Sequence, residues 1–270
     1  MRISFLFSFL ISCILSLSTS AKVDTLLVFS NSMQKNIPNL VITPDISSTT
    51  ADKMPVIYLL HGAGGNYTNW VSNVPELEKQ VNDNHMIIVC PDGGVTSWYF
   101  DSPIDQTMKY ETYVSKELIE SVDKKYNTIN NPNGRAITGL SMGGHGALYL
   151  AIKHQDVWGA SGSMSGGVDI RPFPNNWDIS KRLGKYSNYK QNWEENTVIN
   201  LVSLIKDDLK IIFDCGTNDF FYEVNQQLHQ TLLKTNVDHD YIERPGKHNW
   251  DYWRNAIKYQ IVFFVNYFKI

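Results

Sequence analysis

The sequence predicts an α/β fold: a mostly parallel central sheet with helices on both faces and a small insertion after the sixth strand. Three observations carry that expectation. Near-continuous apolar runs at 55–60, 86–90, 136–138 and 209–214 read as strands buried on both faces. Stretches with helical apolar spacing at 110–126, 221–235 and 250–268 alternate with them. One strand, Ala136 to Thr138, runs directly into Gly139-Leu140-Ser141-Met142-Gly143 and then into a helical pattern from Gly144 to His154. Strand, glycine turn and helix in that order are one α/β unit.

Length and composition agree with this architecture. The 270 residues, 43% hydrophobic and 19% charged, suffice for a single large domain over 22–270, with no linker or repeat to divide it. The formal net charge is -3 and no basic stripe is present, which excludes nucleic acid as the expected partner. Residues 1–21 read as a signal peptide, with Arg2 at the positive end, an apolar stretch from Ile3 to Leu17, and Ser18-Thr19-Ser20-Ala21 at the cut. Ser4, Ser8, Ser12 and Ser16 interrupt that stretch, so no membrane-spanning segment is expected once it is removed. The expected location is therefore periplasmic or extracellular. Leu10-Ile11-Ser12-Cys13 leaves a second outcome open, a lipid anchor at Cys13. Cys90 and Cys215 end apolar runs and read as buried free thiols, and no paired Cys/His spacing suggests a metal.

Along the chain, Val23–Phe29 and Leu40–Thr43 read as the first strands, with Asn36-Ile37-Pro38-Asn39 as the turn between them and 44–53 as a surface loop. The strand at 55–60 ends in His61-Gly62-Ala63-Gly64-Gly65, where small residues let backbone amides approach a ligand. This loop lacks the Lys-Ser/Thr ending of a P-loop and the spacing of a dinucleotide fingerprint. His61 reads as a packed histidine bracing it. A short irregular helix over 70–82 and a strand over 86–90 follow, then the turn Pro91-Asp92-Gly93-Gly94. Trp98, Tyr99 and Phe100 lie in a loop at the carboxyl end of the sheet, where ligands bind in doubly wound folds. They either stack on a ligand or pack the loop onto the body.

Ser141 is the candidate nucleophile. In Gly-x-Ser-x-Gly between strand and helix, the serine occupies a strained turn and its hydroxyl stands clear of the sheet. After a strand over 158–164, the weakly periodic stretch 168–200 carries Phe173, Trp177 and Trp193 and reads as the insertion above the site. An acid that orients a histidine belongs in a loop just past a strand, which favours Asp219 over Asp214, still inside its strand. The alternative for Asp219 is a first-turn acid of the helix at 221–235. A short strand at 240–243 is followed by a Pro-Gly loop that delivers His248 ahead of the last helix, whereas His229 lies within a helix and His239 at a strand start. The order Ser141, Asp219, His248 differs from that of chymotrypsin or subtilisin. Acyl transfer would also need two donors for the developing oxyanion, assigned to the backbone amides of Ala63 and Met142.

Taken together, Leu59-Leu60-His61-Gly62, Pro91-Asp92-Gly93-Gly94 with Ser97-Trp98-Tyr99, Gly139 to Gly144, Asp214-Cys215-Gly216 through Asp219-Phe220, and Pro245-Gly246-Lys247-His248-Asn249-Trp250 resemble the esterase D-like branch of the α/β-hydrolases. That branch includes feruloyl and acetylxylan esterases, tributyrin-type esterases, S-formylglutathione hydrolases and mycolyltransferases. The resemblance implies an α/β-hydrolase fold, a Ser141, Asp219, His248 triad, an oxyanion hole at Ala63 and Met142, and no cofactor. The leader points away from the intracellular S-formylglutathione hydrolases. The insertion and the Trp98-Tyr99 loop look more like enzymes that remove feruloyl or acetyl groups from plant polysaccharide, so the expected partner is an acylated carbohydrate or another small ester, held by Trp98, Tyr99 and Trp177. The rival readings are an acyltransferase of mycolyltransferase type, an S-formylglutathione hydrolase-like esterase, and a non-catalytic carbohydrate-binding protein using the same three aromatics.

Overall fold

In the computed structural model, which describes residues 21–45, 52–206 and 208–269, eight strands form one sheet in the order β1-β2-β4-β3-β5-β6-β7-β8. The proposed leader apart from Ala21, the anchor position Cys13 and most of the 44–53 loop lie outside the described residues. The antiparallel hairpin β1 (Lys22–Ser30) and β2 (Lys35–Thr43) occupies one edge. The remaining strands are parallel: β3 (Val56–Leu60), β4 (Ile87–Pro91), β5 (Arg135–Gly139), β6 (Ala160–Met164), β7 (Lys210–Gly216) and β8 (Asp240–Arg244).

The apolar runs are continuous because both faces of the sheet are covered. Within β3, Val56, Tyr58 and Leu60 join one core while Ile57 and Leu59 join the other. The first core lies under Tyr110–Thr112 (α3), a π-helical turn Tyr113–Glu117, Leu118–Lys125 (α4), Met142–Lys153 (α5) and Tyr222–Lys234 (α8). The second lies under Asn69–Asn73 (α1), Leu77–Asn84 (α2) and Trp250–Phe268 (α9). Pro75 separates α1 from α2, which accounts for the irregular pattern of 70–82. The insertion after β6 holds Ile179–Leu183 (α6), Lys190–Glu195 (α7) and a 3-10 stretch, Val198–Leu204. Cys90 and Cys215 are buried free thiols.

One local expectation fails. Asn36-Ile37-Pro38-Asn39 is not a turn; it lies inside β2, with Pro38 opposite Leu27, and the chain reverses at 31–34 instead. Buried alternation decides the matter: Ile37, Asn39 and Val41 all point into the core, and the Asn39 amide is absorbed by the Leu26 and Ile37 carbonyls. The Pro38 carbonyl still accepts from the Asp92 N–H.

Candidate active site

Three loops at the carboxyl ends of parallel strands converge on Ser141. The serine sits between β5 and α5 with φ 56° and ψ -118°, a backbone state that non-glycine residues rarely adopt. The strain holds because the surroundings fix the turn. Its N–H donates to the Met164 carbonyl at 2.9 Å. A Cβ at Gly143 would stand 2.6 Å from the backbone oxygens of both Leu60 and His61, so only glycine lets α5 start this close to β3. Gly139 meets the same limit against Gly143 and the Leu60 side chain.

His248 leaves β8 on a Pro-Gly loop and stops one residue short of α9, whose first turn is capped by the Asn249 side chain accepting from the Tyr252 N–H. Its Nε2 lies 2.9 Å from Ser141 Oγ and its Nδ1 lies 2.8 Å from Asp219 Oδ2. Asp219 is buried, and its other oxygen accepts from the Phe221 N–H at 2.8 Å. An ionised carboxylate can only accept, so Nδ1 carries the proton and Nε2 is left to accept from the serine hydroxyl. Backbone hydrogen bonds tie the two loops together, Thr217 N–H to the Arg244 carbonyl and Asn218 N–H to the Gly246 carbonyl. Acid and base therefore rest on a single extension of the β7–β8 ladder.

Asp214, the competing acid, faces elsewhere. It is fully buried among Gln260, at 2.9 Å, and Arg244, at 3.5 Å. Burial pushes its carboxyl up to about 6 against the pull of Arg244.

Across the site, the Ala63 and Met142 backbone N–H groups donate to no protein group among the described residues, while their neighbours Gly64, Gly65 and Gly143 all do. Met142 opens α5, so its amide also lies at the positive end of the helix. His61 is the brace that its neighbourhood suggested. Nδ1 meets the Gly62 carbonyl, Nε2 accepts from the Gly93 N–H, and burial lowers its pKa, which keeps the ring neutral. Among the described residues no three His, Cys, Asp or Glu side chains converge as metal ligands.

The aromatic expectations divide. Trp98 and Tyr99 are 1% and 0% exposed, so neither offers a face to a ligand. Tyr99 packs beneath the loop with its hydroxyl on the His61 carbonyl, and Trp98 packs on His145 while its indole N–H donates to the Trp177 carbonyl at 3.1 Å. These are supports of the site, and the rings fill space that glycines leave: a Cβ at Gly93 or Gly146 would stand 2.3 or 2.4 Å from the Tyr99 ring, and one at Gly167 3.0 Å from that of Trp98. Trp177 stays half-buried and stacks on Phe220, ring centroids 5.5 Å apart. Phe220, 51% exposed, then lies 4.2 Å from the His248 ring. Sequence reasoning missed Phe220, although it directly follows Asp219.

A nucleophile hydrogen-bonded to a histidine, the histidine to a buried carboxylate, and two unpaired amides beside the nucleophile can together carry acyl transfer. Comparison with known proteins agrees. The family model described as "Putative esterase" matches residues 30–263. An acetyl esterase of Caldicellulosiruptor saccharolyticus is 27% identical over 252 residues, covering 85% of this chain and 92% of that protein. A solved ferulic acid esterase structure shares 28% identity with TM-score 0.79, covering 92% of this chain and 98% of its own. An S-formylglutathione hydrolase from Staphylococcus aureus, at 22% identity and TM-score 0.80 over 92% of this chain and 100% of its own, shows the same fold.

Proposed function

We propose that this chain, which belongs to the esterase family and is a serine esterase, is exported and removes feruloyl or acetyl groups from plant polysaccharide. The catalytic assignment is carried by one observation, the hydrogen-bonded chain from Ser141 Oγ through His248 to Asp219. Support for the acyl groups comes from the acetyl esterase and ferulic acid esterase likenesses, and support for export from the composition of residues 1–21.

In this mechanism His248 Nε2 takes the proton as Ser141 Oγ attacks the ester carbonyl. The Ala63 and Met142 amides hold the oxyanion. His248 returns the proton to the departing alcohol oxygen, and water, activated by the same nitrogen, releases the acid from the acyl-serine. Asp219 stays ionised throughout and holds the imidazole in its working tautomer. The reaction uses no resident cofactor.

Steady-state hydrolysis of methyl ferulate and acetylated xylan, with Ser141→Ala as the blank, tests the reading. Turnover of either is expected, with the variant at background, a drop of about 10⁶ in kcat. Wild type that cleaves activated esters but neither of these would keep the triad and remove the substrate assignment. Net transester formation with an added sugar acceptor would make the protein an acyltransferase. Export is checked by the N-terminal residue of protein recovered outside the cytoplasm; retention of 1–21 on cytoplasmic protein would overturn it.

A further inference from the structure

We propose that Phe220, backed by Trp177, is the wall of the alcohol-side subsite and selects esters by their leaving group. The inference rests on the catalytic roles given above to Ser141 and His248. It begins with where the two halves of an ester must lie. The carbonyl oxygen turns toward the Ala63 and Met142 amides. The alcohol oxygen must come within hydrogen-bond reach of His248 Nε2, because that nitrogen returns the proton on departure. The first atoms of the alcohol therefore leave the site past the imidazole.

Three aromatic rings surround that imidazole. Phe221 and Trp253 are buried, 1% and 7% exposed, and hold the ring from within. Phe220 is the third, 4.2 Å away with its plane tilted by 38°, and half of it faces solvent. A large apolar ring left half exposed beside a reacting group, and backed by a second ring stacked at 21°, is a wall for a ring or chain lying against it.

The wall is built rather than incidental. Trp177 holds a positive φ, 46°, a conformation that strains a side chain of this size, and Asp178, of a type that tolerates it, follows in the left-handed region at 55°. The buried Trp98 indole pins that turn through the Trp177 carbonyl, and Phe173 and Phe221 pack against the Trp177 ring. Phe220 itself is placed by the residue on either side of it: Asp219 is committed to His248, and Phe221 is buried. Both neighbours fix the backbone, leaving the Phe220 ring free to meet substrate.

The test is a ratio, so that any general change in activity cancels. Methyl acetate and benzyl acetate share an acyl group and differ in the alcohol; methyl acetate and methyl ferulate share the alcohol and differ in the acyl group. In Phe220→Ala the preference for benzyl over methyl acetate, as a ratio of kcat/KM values, is expected to fall about five- to tenfold through KM. The ferulate-to-acetate preference is expected to stay within about twofold, and Phe220→Tyr should restore the alcohol preference. Loss of the ferulate preference instead, or equal loss on all three esters, would overturn the assignment. The polysaccharide reading fails separately, by absence of turnover on acetylated xylan and on ferulate, while the benzyl-to-methyl ratio still responds to Phe220.

Discussion

Gly143→Ala tests whether the oxyanion donors are held by close approach of α5 to β3. The new Cβ would lie 2.6 Å from two backbone oxygens, Leu60 and His61, about 0.8 Å inside ordinary contact. Neither oxygen can rotate away, since both belong to the strand end and loop that lead into Ala63. The strain must part β3 from the start of α5, and those two segments carry the Ala63 and Met142 amides. Displacement of one donor by most of an ångström lowers kcat by about 10². Overpacking costs about 1–3 kcal/mol, offset in part by the better helix propensity of alanine, so Tm should fall by about 2–4 °C. The assay pairs kcat on 4-nitrophenyl acetate with thermal unfolding. A merely structural glycine would move Tm and leave kcat alone. A folded variant with wild-type kcat would refute the proposed placement of the donors.

Other consequences follow from the same geometry. Asp219→Asn should leave Ser141 in place but lower kcat by about 10⁴, because the amide can present an N–H to Nδ1 and favour the wrong tautomer; a loss below tenfold would remove Asp219 from the triad. Trp98→Phe should cost about 2–3 kcal/mol in urea unfolding, through loss of the hydrogen bond to Trp177 and the cavity left by the smaller buried ring, and should raise KM for benzyl acetate more than it lowers kcat. Asp214 sets a pH dependence of stability. Its carboxyl is held up to about 6, above the ordinary 3.8, so the folded chain keeps that proton over a range where the unfolded chain has released it. That stabilisation is complete below pH 4 and is lost as pH rises through 6, a change of about 3 kcal/mol. Urea denaturation of wild type and Asp214→Asn should therefore diverge by that amount between pH 4 and pH 7, and parallel curves would refute the shift.

The parts of the site legible in the sequence are those whose chemistry restricts residue type. A strained serine between a strand and a helix admits only small neighbours, so Gly139 and Gly143 mark it without any tertiary information. Asp219 is distinguished from Asp214 by five positions: one lies past the strand, where a side chain can turn to a ligand, and the other lies within it, sealed against Arg244 and Gln260. The central strands β3, β4 and β7 are equally readable, because cover on both faces favours apolar residues at successive positions and not only at alternate ones, whereas the edge hairpin, with Pro38 inside β2, is not.

What the sequence concealed is the direction of aromatic side chains in loops. A strand alternates and a helix repeats, but Trp98-Tyr99-Phe100 and Phe220-Phe221 have no period from which to assign a face. The first trio turns wholly inward because Trp98 and Tyr99 adopt positive φ and drive their rings under the loop. In the second pair the Asp219 carboxylate accepts from the Phe221 N–H, a local turn that buries Phe221 and leaves Phe220 outside. The hydrogen bond that helps fix the acid therefore also sets which aromatic ring faces the leaving group. Shifting Asp219 would disturb specificity as well as rate, whereas changing Phe220 can alter specificity with the Asp219–His248 pair still in place.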